Sequence, residues 1–178
     1  MSQNRTYLIQ TGVLSGKDGK EPLAKISNII LGPEKKIRVL NSGEEYLVES
    51  AVDSKRYDPL TLKGKEYRMT DSEGRKCLYA YPHYAAEDDP KVNGWPINRL
   101  PRIDTLDVVM KQHYTLTMYN PSNYSLKDDR GNEVLKFMHR GLIGGWTVED
   151  EGGFSPEILC ALFTFSRYLE HENEFVVI

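Results

Sequence analysis

The residues able to do chemistry are few in this chain, and their spacing points to binding rather than to catalysis. The four histidines, His83, His113, His139 and His171, form no HxxxH, HxH or Cys–His pattern suited to zinc. Cys160 lies within an apolar run and reads as a small buried hydrophobe, and Cys77 as a structural strand residue. The acidic clusters Glu87-Asp88-Asp89 and Glu149-Asp150-Glu151 lack the alternating spacing of a calcium loop, so they read as solvated loop charge. Gly141, Gly144, Gly145, Gly152 and Gly153 make neither GxxxxGK[ST] nor GxGxxG and are better explained as bends and bulges. No catalytic residue, metal site or cofactor is assigned. The densest cationic groups are Lys35-Lys36-x-Arg38 and Lys63-x-Lys65-x-x-Arg68. At the strand period of two, Lys36 and Arg38 share one face, as do Lys63 and Lys65. These six cations are the candidate site for an anionic lipid or phosphate; the alternative is a solvated, aggregation-resistant strand edge.

Something must position those cations, and composition bounds what it is. A chain of 178 residues with 39% hydrophobic content is long enough for one domain, 1–178, with a sizeable core. Its 23 basic and 26 acidic residues give a net charge of −3, which argues against a general nucleic-acid binder. No apolar stretch reaches the roughly 20 residues of a membrane-spanning helix, and the first five residues are polar, unlike a signal peptide. Two cysteines are too few for a disulfide framework. A soluble intracellular domain is expected.

Eleven tyrosines accompany short β-branched and aromatic runs separated by Gly, Asp, Asn and Pro. Strands are expected at 6–14, 24–31, 36–41, 45–52, 65–70, 75–84, 105–112, 113–120, 123–127, 133–139 and 145–149. One pattern recurs. Tyr67-x-Met69-x-Asp71-x-x-Gly74-x-x-Cys77-Leu78 returns 57 residues later as Tyr124-x-Leu126-x-Asp128-x-x-Gly131-x-x-Val134-Leu135, with 15–21 a looser third copy. It describes a hairpin in which Asp caps the turn and Gly takes a positive φ. His83 and His139 fall near corresponding places in the two copies and would meet if these packed side by side. The segment 86–102, with three prolines and Trp95 and Ile97, is expected to be a long loop.

Phe154-Ser155-Pro156-Glu157 reads as a helix start, with Ser155 at the N-cap, Pro156 in the first turn, and Phe154 and Leu159 spaced as a hydrophobic staple. From Ile158 to Leu169 apolar side chains point in nearly every direction, which requires burial on all sides. An all-β chain can enclose such a helix by closing its sheet, and eleven or twelve strands leave room for one. Residues 170–174 read as emergence into water and 175–178 as a twelfth strand. The expected fold is therefore mainly β: a closed antiparallel barrel of about twelve strands around a central hydrophobic C-terminal helix.

Gly144-Gly145-Trp146-Thr147-Val148-Glu149, the run from Phe154 to Phe163, and Arg167-Tyr168-Leu169-Glu170 resemble the tail of bacterial tubby-like proteins. The Tyr124–Gly131 hairpin is similar to those of LURP-one-related chains. The resemblance implies the fold shared by tubby C-terminal domains, LURP-one-related proteins and phospholipid scramblases. Tubby domains bind phosphoinositide head groups through basic surface residues, and scramblases act at membranes; no motif for either transfers residue by residue. The resulting expectation is a non-enzymatic, cytoplasmic binding module, peripheral at the membrane if it binds lipid. Its partner would be an anionic phospholipid head group or a protein. The alternatives are an enzyme with a site on barrel-rim loops, using Asp88, Asp89, His83 or His139, and an oligomer held through 86–102.

Overall fold

The alternating segments form twelve strands in the structure, a computed structural model that describes residues 4–28, 33–58, 63–84 and 103–174. In chain order they are β1 (Arg5–Gln10), β2 (Val13–Gly16), β3 (Pro22–Asn28), β4 (Lys35–Val39), β5 (Glu45–Val52) and β6 (Lys65–Asp71). There follow β7 (Lys76–Tyr84), β8 (Ile103–Val109), β9 (His113–Asn120), β10 (Asn123–Asp128), β11 (Glu133–His139) and β12 (Trp146–Asp150). The helix α1 (Pro156–Glu174) ends the described chain. Every strand pairs antiparallel with its neighbours in sequence, and β1 closes the ring by pairing with β12 as well as β2.

The twelfth strand arises where none was expected. The segment 6–14 is not one strand: Thr11 (φ 49°) and Gly12 (φ 76°) turn the chain between β1 and β2. Two successive residues with positive φ make the tight hairpin connection whose twist suits flanking strands. Thr is an unusual residue at such a turn, which hid the break. Residues 175–178, expected as the last strand, lie outside the described residues, as do 86–102.

One face of every strand lines the interior. Ile37 and Val39, Tyr67 and Met69, Leu106 and Val108, and Leu116 and Met118 alternate with outward residues and are buried. The helix fills this interior. Leu159, Cys160, Ala161, Leu162, Phe165 and Leu169 are fully buried. Its side chains meet walls on opposite sides: Phe165 packs against Tyr67 of β6, and Phe163 against Phe137 of β11 and Trp146 of β12. Two buried hydroxyls on α1, those of Thr164 and Ser166, are satisfied within it, Thr164 donating to Cys160 O (2.8 Å) and Ser166 to Leu162 O (2.9 Å). Ser155 O accepts the N–H of Leu159, which places it at the N-cap, but its hydroxyl bonds Glu157 rather than a backbone amide.

The repeated hairpin is β6–β7 and β10–β11. In both, the Asp carboxylate accepts two backbone N–H bonds in the turn, from Glu73 and Arg75 to Asp71 and from Arg130 and Asn132 to Asp128. The register slips at the same point, after Met69 and after Leu126. The β2–β3 hairpin slips likewise after Leu14 and repeats the turn bond, from Gly19 N to Gly16 O, with Gly16 replacing the Asp. The three hairpins fall four strands apart around the ring. All three turns lie at the end where the helix enters. The opposite end, where α1 leaves, is the mouth.

Candidate functional site

The mouth contains a cavity of about 680 Å³ between the barrel wall and the C-terminal half of α1. The wall contributes Gly12, Ile26, Lys35 and Lys65; the helix contributes Phe163, Arg167, Tyr168 and His171. Strand parity explains the cations. In β4 the buried residues are Ile37 and Val39, so Lys35 is on the inward face, and in β6 Lys65 has the inward parity of Tyr67 and Met69.

Each cation has a defined setting. Lys35 donates to the amide oxygen of Asn28, a neutral partner. Lys65 is ion-paired with Glu172, which also accepts a hydrogen bond from the Tyr67 hydroxyl at 3.1 Å. Arg167 is ion-paired with Glu170 and lies over the Trp146 ring, 5.4 Å from its centroid. Glu170 in turn accepts from Tyr124 (3.2 Å). The Tyr168 hydroxyl donates to the carbonyl of Pro33, with the carbonyl of Val48 3.3 Å away as the alternative acceptor. Burial, reinforced by the neighbouring glutamates, holds the phenols of Tyr67, Tyr124 and Tyr168 well above the usual tyrosine range. Glu170 and Glu172 therefore do not simply emerge into water, as the acidic run suggested; they anchor the helix to the wall.

The six candidate cations do not form one site. Lys35 and Lys65 meet at the mouth cavity. Lys36, Arg38 and Arg68 are on the outer surface, where Lys36 pairs with Glu45 (2.8 Å) and Arg68 with Glu49 (2.6 Å). Lys63, Lys65 and Arg68 also border an outer hollow of about 590 Å³, but there Lys76 is paired with Glu66 (2.7 Å). The sequence signal was parity along the strand, which gives the face but not the end of the barrel. Tyr67, Tyr124 and the two glutamates were missed as site residues because their hydrogen bonds to one another are non-local, and Arg167 because only the closed barrel brings it to the mouth.

Other features resolve as structure. The hairpins bearing His83 and His139 do not pack side by side, since β8, β9 and β10 separate β7 from β11. His139 accepts the N–H of Gly141 and packs edge-on to Trp146. Asp150 is fully buried rather than solvated. It accepts the N–H groups of Gly153 and Phe154, while burial pushes its carboxyl up against their pull. Burial also raises the Cys160 thiol, consistent with an inert core residue. Asp88 and Asp89 lie outside the described residues. Among the described residues no group of three or more His, Cys, Asp or Glu is placed to hold a metal.

Between β11 and β12 a single 3₁₀ turn, Gly141–Ile143, projects from the mouth end. Leu142 is fully exposed and Ile143 is 70% exposed, beside the exposed Arg140. Trp146, just after it, pairs with Ile9 near the end of β1 and packs edge-on to the cavity residue Phe163. No described helix is long and apolar enough to cross a membrane. The chain matches no protein-family model, and neither a curated protein nor a solved structure is significantly similar to it.

Proposed function

We propose that this chain is a non-enzymatic, tubby-like binding module that docks by its barrel mouth on an anionic phospholipid surface. The observation that carries the reading is the meeting at one barrel end of two kinds of group. Leu142 and Ile143 are exposed aliphatic side chains beside Arg140, and Lys35, Lys65 and Arg167 line the adjoining cavity. Two aliphatic side chains in open water are unfavourable, and burial at a lipid interface would recover roughly 1.5–3 kcal/mol for each. Arg140 and Lys35 at the same end would add attraction to anionic head groups, about 1 kcal/mol for each near the surface, whereas Lys65 and Arg167 are paired with Glu172 and Glu170. The barrel with its central helix is the architecture that the tubby-like resemblance implies, and the position proposed for it is peripheral, on the cytoplasmic leaflet.

Liposome co-sedimentation tests it. The protein is expected to sediment with vesicles containing anionic lipid, weakly or not with phosphatidylcholine alone, and less as salt rises. Leu142→Asp with Ile143→Asp is expected to release it from the vesicles while leaving the fold intact. No sedimentation with anionic vesicles at low salt would overturn the proposal.

A further inference from the structure

Besides the turn Asp that Gly16 replaces, the three related hairpins differ at a position on the mouth side. Two residues before each register slip stand Tyr67, Tyr124 and Gly12. The two tyrosines are fully buried, and their hydroxyls reach the helix carboxylates of Glu172 and Glu170. Gly12 has no side chain to do either, and the mouth cavity opens in its sector. The vacancy is fixed by the backbone. Gly12 has φ +76°, and a Cβ there would stand 2.7 Å from Ile26 O, so a larger residue cannot fill it from this position.

We infer that this cavity binds a single-chain fatty-acyl anion, with the chain inside the barrel mouth and the carboxylate at Lys35. Its walls include Ile26, Phe163 and Tyr168, which give the chain an apolar surface. A volume of about 680 Å³ is in the range of sites that enclose a small molecule. On the helix side the cavity is lined by Arg167, His171 and Glu172, the last already held by Lys65 and the Tyr67 hydroxyl, and Lys35 stands on the wall. Lys65 and Arg167 already hold Glu172 and Glu170, whereas the partner shown for Lys35 is the neutral Asn28, which an incoming carboxylate can displace. Head-group docking on a bilayer requires none of this, so the inference goes beyond the proposed function and can fail separately from it.

The test is calorimetric titration with octanoate, decanoate and dodecanoate in vesicle-free buffer below their micelle concentrations. Saturable one-to-one binding is expected, tightening about fourfold per added methylene. Lys35→Ala is expected to weaken dodecanoate about tenfold and to leave dodecanol unchanged. Ile26→Trp, or Ser50→Phe if that variant does not fold, should abolish binding of both by filling the cavity. Absence of saturable dodecanoate binding, affinity independent of chain length, or full binding by a folded cavity-filling variant would each overturn the inference. Equal loss of dodecanol and dodecanoate in Lys35→Ala would overturn the placement of the carboxylate. Sedimentation with anionic vesicles but no response to dodecanoate would reject this site alone, and the reverse pattern would reject the membrane reading alone.

Discussion

The hydroxyl of Tyr67 on β6 lies 3.1 Å from Glu172 on the last turns of α1, although 105 residues separate them in the chain. Fifty-seven residues beyond Tyr67, Tyr124 makes the same contact with Glu170 at 3.2 Å. Both phenols are enclosed, and both carboxylates carry a second bond, Glu172 to Lys65 and Glu170 to Arg167. The helix is therefore held at the mouth by two matched polar anchors as well as by the apolar contacts deeper in the barrel.

Tyr67→Phe and Tyr124→Phe each delete one hydroxyl while keeping the ring. A hydrogen bond to a charged acceptor contributes about 1.5–3 kcal/mol, and here the acceptor retains its cation, so the lower end is expected. In a chain of this size 1 kcal/mol corresponds to roughly 2–4 °C in Tm. Since the anchors share no partner, the two losses should add in the double variant. Thermal denaturation of the three variants checks this. A double variant as stable as the parent would contradict the anchoring role.

The core was largely legible in the sequence, and the site was not. Alternation at Ile37 and Val39 or at Tyr67 and Met69 reflects a strand with one wet face, and it survives into the structure because a barrel wall has that property at every strand. The apolar circumference from Ile158 to Leu169 likewise specified an enclosing wall. The β1–β2 turn was hidden because Thr11, at φ 49°, is a residue that rarely takes a positive φ, so the pair does not look like a two-residue hairpin turn. Glu170 and Glu172 were misread for a different reason: a run of acids at a helix end resembles solvent exposure, and only the barrel's closure brings Tyr124 and Tyr67 opposite them. Lys35 and Lys65 separated from Lys36, Arg38 and Arg68 by the same logic, since parity assigns a face while the meeting at one end depends on which strands become neighbours.

Alkaline titration should expose the enclosed phenols. Burial raises Tyr67, Tyr124 and Tyr168 far above the usual range, and Tyr46 is pushed up to about 12, again chiefly by burial. An acid whose folded pKa is raised binds its proton more tightly in the folded state. Its stabilisation is complete below the unfolded tyrosine value of about 10 and is lost as pH rises toward the folded one. The phenols of Tyr67, Tyr124 and Tyr168 should therefore ionise only in a step coincident with unfolding, at higher pH than a tyrosine in water. Absorbance at 295 nm recorded alongside circular dichroism shows whether the two coincide. A single transition near pH 10 for every tyrosine in a still-folded protein would refute the enclosure.

The middle of the helix should tolerate no charge. Leu162 is fully buried at the barrel centre. Truncation in Leu162→Ala is expected to cost about 2–5 kcal/mol, and Leu162→Asp to abolish folding because an unpaired carboxylate would be buried. Phe163 faces the mouth cavity and is only partly buried, so Phe163→Asp is expected to be milder. Urea denaturation ranks the three. A soluble Leu162→Asp protein with parental stability would mean that the helix is not enclosed.

The hairpin aspartates should set part of the acid limb of stability. Asp71 accepts two backbone N–H bonds and the guanidinium of Arg75 (2.8 Å); Asp128 accepts two backbone N–H bonds and the Asn132 amide (3.1 Å). These donors, the Arg75 backbone first for Asp71 and the Asn132 side chain first for Asp128, hold both carboxyls below the ordinary range. A depressed folded pKa stabilises the fold above the unfolded Asp value of about 3.9, and that contribution disappears as pH falls through the folded one. Asp71→Asn with Asp128→Asn keeps an oxygen acceptor in each turn and removes the titration. Urea midpoints measured from pH 7 down to pH 2.5 should fall less steeply for this double variant than for the parent. Parallel acid limbs for the parent and the double variant would show that the turns do not depend on ionised carboxylates.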